Sequence, residues 1–243
     1  MSFGVPECDY VPSLKSFRVR KASGKHFSSG SFGMALTLST ASDENKVTTT
    51  TNEYLFIEEV LFLFERGVLN VYSSQGDKLN SMGLYGMLEV IGVPLPISLV
   101  YAHLRSQDYR VLQHVKNVDS QQQQLNNDGI KEARRTKTLT TLHEDPMSIV
   151  FDVYKPNSLF KKMDPEIPES HVAVANFQYP SPTFDELQAL LSQQQDCSKT
   201  ETQTVPALKI ATVSDSGVVI MFGMTNVGVP DILIQMNETN EHP

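Results

Sequence analysis

Between residues 54 and 66 apolar positions recur at intervals of three and four: Phe56, Ile57, Val60, Leu61, Leu63 and Phe64 mark one wide helical face. Gly67 stands where a left-handed C-cap belongs. Residues 68–73 alternate as a short strand, and Ser74, Gln75, Gly76 and Asp77 turn the chain. A second helix is predicted over 80–91, with Leu84, Met87, Leu88 and Ile91 inward and Gly92 as its stop. Pro94 and Pro96 start a third over 96–106, whose Leu99, Val100, His103 and Leu104 share a face. Residues 109–115 close the unit as a strand. Helix, strand, helix, helix, strand is a small mixed module of winged-helix character, and it is not a βαβ repeat.

The distal half reads differently. A strand is predicted over 149–154, then a polar loop with Pro156, Pro165 and Pro168, then a strand over 171–177. Pro182 and Thr183 open a helix, with Thr183 as N-cap, Glu186 completing a capping box, and Leu187, Leu190 and Leu191 inward. Strands over 207–213 and 217–224 are joined by Ser214, Asp215, Ser216 and Gly217 as a hairpin turn, and 232–234 is the candidate for a short edge strand. The fold class is α+β. The predicted organisation is an irregular N-terminal arm (1–53), the first module (54–116), a flexible linker (117–147), a C-terminal domain (148–234) and a tail (235–243). The arm is rich in Ser, Thr, Gly and Lys and ends in Thr48 to Thr51, a composition that buries little by itself. Its sparse apolar set, Phe27, Phe32, Met34, Leu36 and Leu38, is enough for part of it to lie down as a strand.

The chain of 243 residues carries 20 Lys plus Arg against 28 Asp plus Glu, a net charge of -8, which argues against a wholesale nucleic-acid coat. Nearly all of that charge lies beyond Ser148, where there are lysines but no arginine. Cys8 and Cys197, far apart in polar segments, are too few for a disulfide framework or a structural zinc site and fit a reducing compartment. The first ten residues lack a basic start followed by an apolar stretch, so a soluble intracellular protein is expected.

There is no Gly-rich phosphate loop, His-Glu-x-x-His, Cys-x-x-Cys or Gly-x-Ser-x-Gly. The six histidines, His26, His103, His114, His143, His171 and His242, are scattered without metal-ligand spacing, so neither a metal nor a cofactor is expected. Spacing alone names no catalytic centre. Two features read instead as contact surface. Phe62 projects among Glu58, Glu59, Glu65 and Arg66 on the otherwise polar face of the first helix, to be covered either by the arm or by a partner. Val218, Val219, Ile220, Met221 and Phe222 leave the last long strand no polar face, so it needs cover on both sides, from its own domain or from a partner subunit. Candidate partner contacts are thus Phe62, Val219, Met221, Phe222 and, in the turn before them, Asp215. Arg134, Arg135 and Lys137 in the linker form a solvated charge run with weak potential for RNA contact.

The stretches Glu58-Glu-Val-Leu-Phe-Leu-Phe-Glu-Arg-Gly67, Leu84-Tyr-Gly-Met-Leu88 and Leu99-Val-Tyr-Ala-His-Leu-Arg-Ser-Gln-Asp-Tyr-Arg-Val-Leu112 resemble, in this order, the N-terminal domain of the larger structural subunit of eukaryotic tRNA-splicing endonuclease. Residues 54–116 carry most of the resemblance. Phe151-Asp-Val-Tyr154 and the closing hairpin, within 149–225, resemble the family's nuclease-like mixed α/β C-terminal domain, and Gly24-Lys-His-Phe27 echoes an upstream Gly-Lys-x-Trp element. The resemblance implies a non-catalytic subunit of a four-subunit, nuclear enzyme that removes introns from precursor tRNA. Its partner there is a catalytic subunit, and the cytoplasm and the mitochondrial surface are the alternative locations. Catalytic relatives use a Tyr, His and Lys triad. Tyr154 matches the tyrosine, but His171 appears only where its strand begins, and Thr204, Val205 and Pro206 replace the lysine expected before the next strand, leaving Lys209 inside it. The competing readings are a winged-helix-like nucleic-acid binder and an active RNA endonuclease with a rearranged triad.

Overall fold

The computed structural model describes residues 4–21, 32–42, 46–114, 148–156, 160, 165, 167–176, 182–196 and 206–224. The first sheet is built from β1 (Glu7–Val11), β2 (Ser16–Lys21), β3 (Met34–Ser42), β4 (Lys46–Leu55) and β5 (Asn70–Tyr72), in the order β3-β4-β2-β1-β5. Only the β1–β5 pairing is parallel. Where an irregular arm was expected, four of these five strands run. Apolar content is a poor guide here, because β-branched Thr and Val suit the extended backbone and the ladder satisfies their polar groups. Among the described side chains of this region Cys8, Phe17 and Leu55 are fully buried, and Phe32 and Tyr54 nearly so. Cys8 is thus a core residue rather than part of a polar segment, and burial pushes its thiol pKa up.

Three helices follow β4 closely: α1 (Ile57–Glu65), α2 (Ser81–Ile91) and α3 (Leu95–Ser106). Their ends obey local chemistry. Gly67 and Gly92 take positive φ after α1 and α2, and the Asn80 carboxamide accepts from the Gly83 N–H at 2.8 Å to cap α2. The faces of α2 are as predicted, with Leu84, Leu88 and Ile91 buried. On α3 the pattern misleads at one position: His103 is only half-buried beside Gln107, while Tyr101 and Arg105 turn inward.

The second sheet has the order β10-β9-β8-β7-β6, from β6 (Arg110–Gln113), β7 (Ile149–Tyr154), β8 (Ser170–Asn176), β9 (Ala207–Val213) and β10 (Val219–Met224). Only β8 and β9 are parallel. The strand expected to close the first module, β6, therefore pairs with β7 of the distal half. A four-residue strand cannot leave its ladder groups bare, and β7 supplies the matching edge. α4 (Phe184–Asp196) lies between β8 and β9 in the chain and packs Leu187, Leu190 and Leu191 with Ile149, Ala173, Leu208 and Ile210 on one sheet face. The opposite face, with Phe151, Val153, Val172, Val174, Ala211 and Val213, joins a core that runs on through α3 and α1 to Phe17 and Cys8. The segment at 117–147 and the stretch 232–234 lie outside the described residues. No single helix among the described residues is long and apolar enough to cross a bilayer.

Phe62 belongs to this core and is not an exposed ring. Phe32 stacks on it at 6.0 Å between centroids, Tyr101 meets it edge-on at 6.1 Å, and the Arg66 guanidinium lies 4.3 Å from its centre. The face around it is only partly solvated: Glu65 and Arg66 are exposed, while Glu58 and Glu59 are both buried. Glu59 accepts from the Phe56 N–H at 3.0 Å, securing the start of α1, and from the Gly33 N–H at 3.1 Å, tying down β3. Glu58 accepts from Gln113 of β6. Two acidic residues that look like a polar face are anchors for neighbouring backbone and side chains.

Three outcomes test this account. Phe151→Ala, removing a fully buried ring, should cost about 3–5 kcal/mol in denaturant unfolding. In a double-mutant cycle, Phe32→Ala and Phe62→Ala should show a coupling of about 0.5–1.5 kcal/mol, as a stacked pair within one chain requires. At α4, the Thr183 N–H and hydroxyl both donate to Glu186, holding its carboxyl below the usual range. Since the folded value is the lower one, this stabilisation is present above the unfolded carboxyl value of about 4.3 and disappears as pH falls through the folded value. Hydrogen exchange of α4 should accelerate across that acid range once corrected for intrinsic rates, and Glu186→Gln should abolish the step.

Candidate functional site

Strand register decides which side chains meet on the second sheet. Asp152 of β7 lies opposite Leu112 of β6 and opposite His171 of β8. His114, two residues beyond Leu112, falls on the same face as Asp152 because alternate residues share a side; its N–H donates to the Val150 carbonyl at 2.8 Å, which continues the ladder. The Nδ1 atoms of His114 and His171 each lie 2.7 Å from Asp152 Oδ1, and the two rings meet edge to face at 5.2 Å. Both imidazoles are buried, and among the described residues His171 Nε2 has no hydrogen-bond partner. Burial by itself would raise the Asp152 pKa; the hydrogen bonds from His114 and His171 outweigh it and hold the carboxyl below its ordinary range.

Spacing in the chain had set these histidines apart as scattered, yet the fold gathers two of them. The residues are separated by 38 and 19 positions, so no local motif exists to be read. The available signal was phase: Asp152 alternates with Phe151 and Val153, and on β8 His171 alternates with Val172, which puts each polar residue on the face opposite its apolar neighbours.

The Tyr154 ring packs at 5.1 Å against Phe160, and burial, followed by the nearby Asp152 charge, raises its hydroxyl pKa. It shares the Asp152 face, being two residues further along β7. Lys209 does not. It pairs with Val172, whereas His171 pairs with Leu208, so Lys209 is on the other side of the sheet, with its Nζ 5.9 Å from the centre of the Tyr109 ring. Among the described residues no ammonium group joins Tyr154 and His171.

β10 is an edge strand, paired with β9 alone among the described residues. Val219 and Met221 pack against the main core, while Val218, Ile220 and Phe222 are exposed, Phe222 at 56%. α4 covers the neighbouring strands on that side but stops short of Ile220 and Phe222. Of the predicted contacts, then, Val219 and Met221 are partly covered from within, Phe222 is open, and Asp215 is exposed in the turn. That turn is closed by the Ser214 hydroxyl, which accepts from the Val218 N–H at 3.1 Å, and by Gly217 at positive φ. Arg134, Arg135 and Lys137 lie outside the described residues.

No curated protein matches the chain. Residues 6–73 match the family model described as the N-terminal domain of tRNA-splicing endonuclease subunit Sen54. This matched span runs from the start of β1 through α1 and β5, so the family's signature lies largely in the strands that had been assigned to an arm, upstream of most of the stretch that carried the resemblance. Over residues 6–73 the chain is thus similar to the Sen54 N-terminal family of tRNA-splicing endonuclease subunits.

Proposed function

We propose that this protein is a non-catalytic structural subunit of the tRNA-splicing endonuclease, acting in intron removal from precursor tRNA by supporting a catalytic subunit in a nuclear hetero-oligomer. The observation that carries the non-catalytic part is the placement of Lys209 across the sheet from Tyr154 and His171. Attack of a ribose 2′-hydroxyl on the adjacent phosphate needs a base, an acid and a cation at the phosphorane oxygens. Here the tyrosine is packed on Phe160, the imidazole is turned onto Asp152, and the cation is on the wrong face. The distal half keeps a nuclease-like sheet as a platform for assembly.

The open edge of β10 is the surface best suited to that assembly. Among the described residues it has ladder groups without a partner strand along one side, with the exposed Ile220 and Phe222 beside them and Asp215 at the turn. A partner strand added there gains main-chain hydrogen bonds and buries two large apolar side chains, and the acid-rich, arginine-free distal half favours a basic partner.

The purified chain should leave precursor tRNA uncut, and cleavage should appear on adding the catalytic subunit. Cutting by the chain alone, lost in Tyr154→Phe or His171→Ala, would establish a rearranged nuclease instead. Phe222→Asp, at an exposed position, should leave the thermal midpoint nearly unchanged and weaken co-purification with the catalytic subunit by at least about tenfold, in keeping with loss of a central apolar anchor. Undiminished association would place the interface elsewhere.

A further inference from the structure

We propose that His114, Asp152 and His171 form a divalent-metal site, with Zn²⁺ the preferred ion, that clamps β6 to β7 and β8. This proposal is independent of the role assigned to the subunit. Two imidazoles and one carboxylate are a ligand set that zinc takes readily, and they come here from three adjacent strands, so the sheet itself fixes their relative positions. One ligand atom from each residue falls within a group no wider than 4.8 Å. The two Nδ1 atoms already converge on a single oxygen, Asp152 Oδ1, at 2.7 Å. Tetrahedral zinc with bonds of about 2.0–2.1 Å holds its ligands roughly 3.3 Å apart, so admitting the ion requires these contacts to open by only about half an ångström.

The surroundings also favour an ion over the hydrogen-bonded triad alone. The histidines are 9% and 4% exposed, and the Asp152 side chain 18%, which is unusual burial for a carboxylate. Among the described residues the His171 ring has no polar contact beyond that shared oxygen, its Nε2 being unpartnered. A divalent cation would sit at the point where the three side chains converge. Of the three side chains Asp152 is the most exposed, at 18%, followed by His114 at 11% and His171 at 5%. The clamp would secure β6, a four-residue strand, at the point where the described chain leaves it.

The test uses the full-length protein, dialysed against chelator and titrated with Zn²⁺ or with Co²⁺ as a spectroscopic probe. One equivalent should bind, the cobalt form should show the intense visible d–d bands of tetrahedral nitrogen and oxygen ligation, and thermal stability should rise with zinc concentration. In His114→Gln and Asp152→Asn, checked for fold by circular dichroism, affinity should fall by more than about 100-fold, beyond the loss typical of changes outside the ligand set. Should either variant unfold, the wild-type protein still decides the matter: of its six histidines, His114 and His171 alone should show ring NMR signals that move on adding zinc. Absence of stoichiometric binding, unchanged affinity in a folded variant, or shifts confined to the other histidines would overturn the proposal.

Discussion

Tyr101 meets Phe62 edge-on at 6.1 Å and Phe151 at a tilt at 5.8 Å, and the rest of the fold depends on that bridge. Phe62 stands on α1, which packs on the first sheet, and Phe151 stands on β7 of the second. α3 is consequently buried on two sides at once, with Val100 and Leu104 closing the same seam. The arrangement has a polar cost. The Tyr101 hydroxyl is buried without a partner, and burial, then the nearby Glu59, drives its pKa well above the ordinary value. Arg105, one turn further along α3, is a second buried polar group, its Nε without a hydrogen-bond partner among the described residues. Its guanidinium lies 4.2 Å from the centre of the Phe32 ring, and its Nη1 donates to the Tyr109 carbonyl at 2.8 Å. Aromatic contact, buried acids and one buried cation thus hold the two sheets about a single helix.

The elements of the distal half were legible because each is short, strongly patterned and locally capped. The alternation from Ile149 to Tyr154 and from Ala207 to Val213 sets the observed strand bounds, and the Thr183–Glu186 box marks the start of α4. The first 55 residues were illegible for a matching reason. Their strands pair mostly with sequence neighbours, β1 with β2 and β3 with β4, but their Ser- and Thr-rich ladders carry little apolar alternation, and the pairing of β1 with β5 is one that no local window records. Glu58 and Glu59 misled for the same cause: a carboxylate on a helical wheel reads as solvated, and only the arrival of Gly33 and Gln113 makes it an interior acceptor.

The distal surfaces follow the same division. That β10 has too many apolar residues for one covered face was readable, and the structure resolves it by covering Val219 and Met221 while leaving Ile220 and Phe222 open. That His114 and His171 share one oxygen of Asp152 was not readable, since it requires knowing that β6 crosses into the second sheet. Phase identified the face of each residue, and only topology made them neighbours.

The crossing of β6 has a practical corollary for anyone dividing this polypeptide. A fragment ended at residue 116 would carry away a strand whose ladder partner stays behind, along with the helix that roofs the remaining sheet. The reciprocal piece would begin with a bare edge at β7 and an uncovered Phe151. Neither half is a natural unit for expression, and a protease cutting between them would nick the molecule without releasing two separable parts.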